Sequence, residues 1–375
     1  MQYNRVMQNI YQTKGETLVD QYLDAGRVFS KEIRASIEKI GKKRSKLTNA
    51  RRVVAERTWE NLRTKEAARE LRSCLSAWSE GAGITERQAM WAMADNLSGC
   101  QTFMARYGSG VALLHSEEEF RDATHIDLHM TSPHTMEFRD GGRELKTLVY
   151  NDLLPGAGLY GWKKDMLVAV DSLFLREDGI DKVQSPLLAN IVSWLIWRME
   201  PSEAEPKNIV ELVETLGELV DGYAINVVRK VQGVVEGYKL TFARSEHHLE
   251  YLGQKNGDYL RQVNIIDPQY TPMRWALPAR NIWRGGYKYF VNRLKVLDQD
   301  AKVYGQVGKI KLKSEEVEVA HSQIQKLIFG QLQESYINSD VGAVCVGLVD
   351  QCGTSVSAKL NDSRDVGVLE YIDRL

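Results

Sequence analysis

The chemistry of this 375-residue chain starts at Cys100, which follows Gly99 directly and opens a strand-like run over residues 100–107. If the Gly99–Cys100 bond is cut, one residue carries both a thiol and a free α-amine. An α-amine with a pKa near ~8 can take the thiol proton, so nucleophile and base lie within one residue. His115 could also act as a base, although thiol and amine already suffice. Other chemistries fit less well. His125 and His129 would line up as zinc ligands on a helix, but their segment alternates as a strand and no third ligand is evident. His247 and His248 are neighbours that point apart on a strand. The cysteines Cys74, Cys100, Cys345 and Cys352 show no CxxC spacing and are too few for a disulfide framework; they suit a reducing cytosol. There is no P-loop and no G-x-S-x-G elbow, so no metal, nucleotide, flavin or other cofactor is expected.

The elements that must position Cys100 differ on its two sides. After it comes a β-hairpin, with a turn at Gly108, Ser109 and Gly110 and a return strand from Val111 to Leu114. Before it, the chain reads as helices. Leu18, Tyr22, Phe29, Ile33, Ile37 and Ile40 share one face of a long helix that ends at Gly41 and the basic run after it. Further helices span about residues 47–62 and 65–78, with Glu80, Gly81, Ala82 and Gly83 ending the latter. Thr85 and Gln88 form a capping box for a helix through Met93. Beyond the hairpin, strands are expected near residues 125–130, 145–150, 166–170, 224–228, 234–242, 261–265, 342–349 and 355–360, with a hairpin turn at 139–143. Helices are expected at 186–199, 208–219 and 286–297. Strands, helices and strands again imply an α+β layered fold, sheets covered by helices.

Charge divides at the same junction. Residues 1–99 hold 18 Lys and Arg against 12 Asp and Glu, net +6, while residues 100–375 hold 31 against 38, net −7. Opposite signs suit two segments that pack on each other. The basic run Lys42, Lys43, Arg44, Ser45 and Lys46 has no interleaved aromatics and no zinc or RNP-type motif, so nucleic acid is not an expected partner. No run reaches the ~18 apolar residues of a membrane helix, and no apolar segment follows the first five residues, so neither membrane insertion nor secretion is expected and the cytoplasm is the expected location.

Several short stretches together resemble the N-terminal-nucleophile (Ntn) cysteine hydrolases of the isopenicillin N acyltransferase type, the peptidase C45 family. Glu80-Gly81-Ala82-Gly83 is similar to the Glu-Gly-Ala turn before the family's last pro-segment helix. Gly99-Cys100 sits where the family cuts itself. Leu114-His115-Ser116-Glu117-Glu118 is similar to its Gly-Gln/His-Asn-x-Asp stretch. The loop from Leu154-Pro155-Gly156 to Gly161-Trp162, with Val168-Ala169-Val170 after it, resembles its Gly-rich loop and apolar strand. Gln262-Val263-Asn264 resembles its Val-His-Thr-Asn segment, and Trp283-Arg284 its Ser-x-x-Arg helix start.

The resemblance implies a four-layer αββα sandwich, with residues 1–99 as a helical pro-segment that stays docked as a small subunit and residues 100–375 as the catalytic region. It implies cleavage between Gly99 and Cys100, Cys100 as nucleophile, Asn264 as oxyanion donor and Glu118 orienting substrate or the new α-amine. Arg284, Ser116, Asp171 and His115 would contact substrate, a small-molecule amide or thioester of specialised metabolism. Three positions depart from the family pattern: Ser116 stands for Asn, Glu118 for Asp, and Asp171 for Asn. They point to altered substrate or chemistry, and equally to an Ntn-fold protein that is not cleaved and uses Cys100 internally or serves as a binding or biosynthetic protein.

Overall fold

The computed structural model describes residues 10–42, 46–95, 99–118, 133–150, 152–158, 160–173, 180–220, 222–263, 341–361 and 368–374. The expected strand at 125–130 and helix at 286–297 lie outside them. The chain is mixed α+β. The described residues begin not with a helix but with a short strand, β1 (Ile10–Gln12), followed by helices α1 (Leu18–Val28), α2 (Ser30–Lys42), α3 (Lys46–Arg63), α4 (Arg69–Ala82) and α5 (Glu86–Asp95).

The single long helix expected over residues 18–40 is two helices. The backbone leaves helical geometry at Phe29, the C-cap of α1. The break lets the Phe29 ring stack on His134 at 4.1 Å and meet Tyr11 edge-on at 5.7 Å. The stretch Glu80, Gly81 and Ala82 is likewise not a turn but the last turn of α4, with Gly83 as its cap. Its glycine has a packing cause. A Cβ on Gly81 would lie 2.2 Å from the Leu23 carbonyl, and one on Gly26 of α1 would lie 2.2 Å from the Trp78 carbonyl. The backbones of α1 and α4 cross in direct contact, which only paired glycines permit. The Thr85–Gln88 capping box is present in both directions.

Strands β2 (Gly99–Tyr107) and β3 (Gly110–Glu118) form the expected hairpin. Then follow β4 (Pro133–Asp140), β5 (Arg143–Tyr150), β6 (Tyr160–Lys163) and β7 (Met166–Leu173). The helices expected at 186–199 and 208–219 are shorter. Pro186–Leu187 is strand β8 and Glu218–Leu219 strand β9, a parallel pair that brackets α6 (Ala189–Arg198) and α7 (Pro206–Leu216). Pro206 fits the first turn of α7 because its missing N–H is not needed there. The chain continues through β10 (Gly222–Val231), β11 (Val234–Ala243), β12 (Glu246–Tyr251), β13 (Tyr259–Val263), β14 (Val341–Val349), β15 (Thr354–Asn361) and β16 (Val368–Arg374).

Two large sheets result. The first has the order β1-β4-β5-β6-β7-β10-β11-β12, and the second β13-β2-β3-β14-β15-β16. Every pairing in them is antiparallel except β1 on β4. The sheets stack face to face. Tyr160 donates its hydroxyl hydrogen across the gap to the Leu113 carbonyl at 3.1 Å. A Cβ on Gly237 would meet Met104 Sδ at 2.4 Å, and one on Gly347 would meet Tyr160 Oη at 2.3 Å.

The other face of the first sheet carries helices. Tyr22 of α1 stacks on Phe138 at 4.8 Å, accepts the Trp194 indole N–H at 2.7 Å and donates to the Pro155 carbonyl at 2.6 Å. Trp197 of α6 lies over Gly156 and Gly161, where any Cβ would strike the ring, and donates to the Lys146 carbonyl at 2.9 Å. The Gly-rich loop therefore serves a tryptophan. The described residues thus form one helical layer on two stacked sheets. Among them, no helix is long and apolar enough to cross a membrane.

Candidate functional site at Cys100

Strand alternation aims Cys100, Thr102, Met104 and Arg106 of β2 at one face, the face toward the first sheet. Gly99 and Cys100 are both paired within the strand, to Glu118 and Glu117 of β3. Cys100 is almost fully buried, at 1 % exposure. Its surroundings are not plain hydrocarbon. Strand β6 begins at Tyr160, opposite Ala169, so β7 runs on past it. In that overhang the Ser172 N–H donates to Cys100 Sγ at 3.3 Å. A backbone N–H on sulfur favours the thiolate over the thiol.

Next to the cysteine lies a buried polar group of four side chains. Thr102 sits opposite His115 in the hairpin register, and Thr102 Oγ1 is 2.9 Å from His115 Nδ1. The same Nδ1 is 3.9 Å from Oδ1 of Asp171, the residue before Ser172. Asn226 of β10 donates its amide to Asp171 Oδ2 at 2.7 Å and reaches the Ala169 carbonyl at 3.4 Å. None of the four exceeds 2 % exposure. The Tyr160 ring lies 6.2 Å from the His115 ring. Burial, with the neighbouring Cys345, pushes the Tyr160 phenol well above its ordinary pKa, so it stays neutral.

The structure thus brings together Cys100, His115 and Asp171, three of the residues singled out from sequence. Ser116 and Glu118 fall on β3, opposite Gln101 and Gly99 in register. Asn264 and Arg284 lie outside the described residues. Sequence reasoning missed Thr102, Ser172 and Asn226. Thr102 had a signal: two residues from Cys100 in a strand means the same face. Asn226 had one too, a lone amide inside the run Ala224, Ile225, Asn226, Val227, Val228.

A cavity of about 610 Å³ lies elsewhere, on the helical side between α7 and the β11–β12 turn, lined among others by Val213, Phe242, Arg244 and His247. It includes none of the residues around Cys100. Among the described residues, no group of three or more His, Cys, Asp and Glu could hold a metal ion. Compared with protein-family models and with curated proteins, the sequence matches none.

Proposed function

We propose that this protein is a self-processing thiol amidohydrolase or acyltransferase of the N-terminal-nucleophile type, acting on a small-molecule amide or thioester. The observation that carries the reading is the Ser172 N–H on Cys100 Sγ, at the start of a strand that faces a second sheet. In the precursor the thiol would attack the Gly99 carbonyl. The C–N bond breaks, the acyl group moves to sulfur, and water hydrolyses the thioester to a Gly99 carboxylate and a free Cys100 α-amine and thiol. In the mature protein that amine takes the thiol proton, and the thiolate attacks the substrate carbonyl. The leaving amine departs with the proton. Water then gives net cleavage, and an amine acceptor gives acyl transfer. Asn264 would donate to the oxyanion, a contact typically worth ~3 kcal/mol.

Retention of the N-terminal segment after cutting is supported by how it is seated. β1 adds to the first sheet, Arg57 of α3 donates to the Asp181 and Gln184 carbonyls at 2.7 and 3.0 Å, and Arg198 of α6 pairs with Glu70 of α4 at 3.0 Å.

A second reading has its own observation. Gly99 and Cys100 are paired side by side in one strand, and the thiol is buried. That arrangement suits a protein that is not cleaved and uses Cys100 internally. Denaturing mass spectrometry of purified protein separates the two. Two fragments meeting at Cys100, and one intact mass for Cys100→Ala, are expected. A single intact mass for the unaltered chain sinks the self-processing reading.

A further inference from the structure

We propose that Cys100, His115 and Asp171 share one proton, so that the His115–Asp171 pair sets the ionisation of the thiol while the chain is unbroken. The inference rests on the reading of Cys100 as nucleophile and supplies what that reading lacks. Before cutting there is no α-amine, so another group must take the thiol proton.

Asp171 is fully buried, and a lone ionised carboxylate in such a place would take up a proton. The Asn226 amide on Oδ2 favours the charged form. The His115 ring supplies the opposite charge when protonated. Its Nδ1, 3.9 Å from Oδ1, is too far for a full hydrogen bond and close enough for strong Coulomb attraction in a dry interface. Thr102 Oγ1 meets that same Nδ1 at 2.9 Å and fixes the ring. Cys100 pairs with Glu117 and Thr102 with His115, so Cys100 and His115 are diagonal neighbours on one face of the hairpin.

In one state the S–H bond is intact and the imidazole is neutral beside the carboxylate. In the other the S–H bond is broken, its electron pair stays on sulfur, and the proton sits on the imidazole between Asp171 and Thr102. Total charge is the same in both. The Ser172 N–H favours the second.

Among the described residues, the groups facing His115 include Cys100 and Thr102 on β2, Cys345 on β14 in direct register, Tyr160 on β6 and Asp171 on β7. Asn226 on β10 stands behind Asp171. Beyond it in register come Lys239 and Glu250, which pair with each other at 2.6 Å.

The test follows alkylation of the full chain by iodoacetamide against pH, read at each cysteine by peptide mass spectrometry, in the unaltered protein, His115→Gln and Asp171→Asn. The Cys100 midpoint should rise by about one pH unit in both variants. The exposed Cys352 should keep its profile. Superposable Cys100 profiles overturn the proposal, as does a Cys100 that stays unlabelled at every pH. If the chain arrives already cut, cutting is timed in freshly translated protein. Both variants should then slow it at least tenfold at pH 7, and unchanged rates overturn the pair. Each replacement roughly keeps side-chain size and puts a hydrogen-bonding amide in place of the ionisable group. Should one fail to fold, the other decides, and Thr102→Val, lacking only the hydroxyl, should give a smaller shift in the same direction. Intact mass on the same samples keeps the two ideas apart. A shifted midpoint in a chain that never cuts upholds the pair and sinks self-processing, whereas cutting at an unchanged rate does the reverse.

Discussion

The two faces of the eight-stranded sheet are built on opposite principles, and β7 shows both. Val168 and Val170 point at the helices, while Ala169 and Asp171 point at the second sheet. On the helical face the large aromatics Tyr22, Phe138, Trp194 and Trp197 interlock, and their polar atoms reach fixed carbonyls or one another. On the inner face at Cys100 the partners are ionisable or charged: a thiol, an imidazole and a carboxylate, all excluded from water. Burial of charge is weak evidence for stability, since well-packed apolar groups of the same volume do as well or better. The comparison teaches that the helical face holds the fold, and that the inner polar group is kept for another reason.

The largest effect should come from the helical face. Trp197→Ala removes the ring over Gly156 and Gly161 and is expected to cost about 3–5 kcal/mol in urea unfolding. A loss under about 1 kcal/mol would break the comparison at once. Tyr22→Phe keeps the ring and strips the partner from both the Trp194 N–H and the Pro155 carbonyl, for an expected loss of about 1–3 kcal/mol.

Two pH effects sharpen it. Burial pushes the Lys163 amine down to about 7, with Glu200 pulling the other way. The folded state then holds fewer protons than the unfolded chain between about pH 7 and 10.5. Stability should therefore rise with pH across that window, and Lys163→Met should flatten the rise. Asp140 behaves as a carboxylate does when paired. Burial opposes its charge, but hydrogen bonds and charge from Arg198 and Arg143 outweigh that and hold it below its ordinary value. Its contribution is present above about pH 4 and lost as pH falls through the depressed value, so Asp140→Asn should remove part of the acid limb of a stability profile.

The smallest stability change is expected on the inner face. Asp171→Asn should alter unfolding free energy by less than about 1 kcal/mol, because one buried charge is exchanged for an amide of equal size. A loss above about 3 kcal/mol would recast the inner group as structural.

Much of the fold could be read from residue patterns because the signals were local. The hairpin at Cys100, the capping box at Thr85 and the turn at Gly141 and Gly142 each depend on a few adjacent residues. What escaped depends on contacts far along the chain. Phe29 breaks a helix because His134 and Tyr11 receive its ring, and nothing near residue 29 announces that. Gly81 looked like a terminator, and its reason is Gly26. Strand β1 needs β4, more than a hundred residues away, as its ladder partner. Cys100, His115 and Asp171 were each visible singly, but their grouping required the face-to-face register of two sheets. Asn226 was passed over because one amide in an apolar strand changes its periodicity so little.

The strand at Ile10–Gln12 carries one more consequence. Laid parallel against β4, it seals what would otherwise be the raw border of the eight-stranded sheet. A fragment beginning at Cys100 and made without its forerunner would expose that border, with its unmet N–H and C=O groups, to any passing strand. Such a truncation should precipitate or form inclusion bodies, whereas a chain nicked after folding should run as a single particle on a native sizing column.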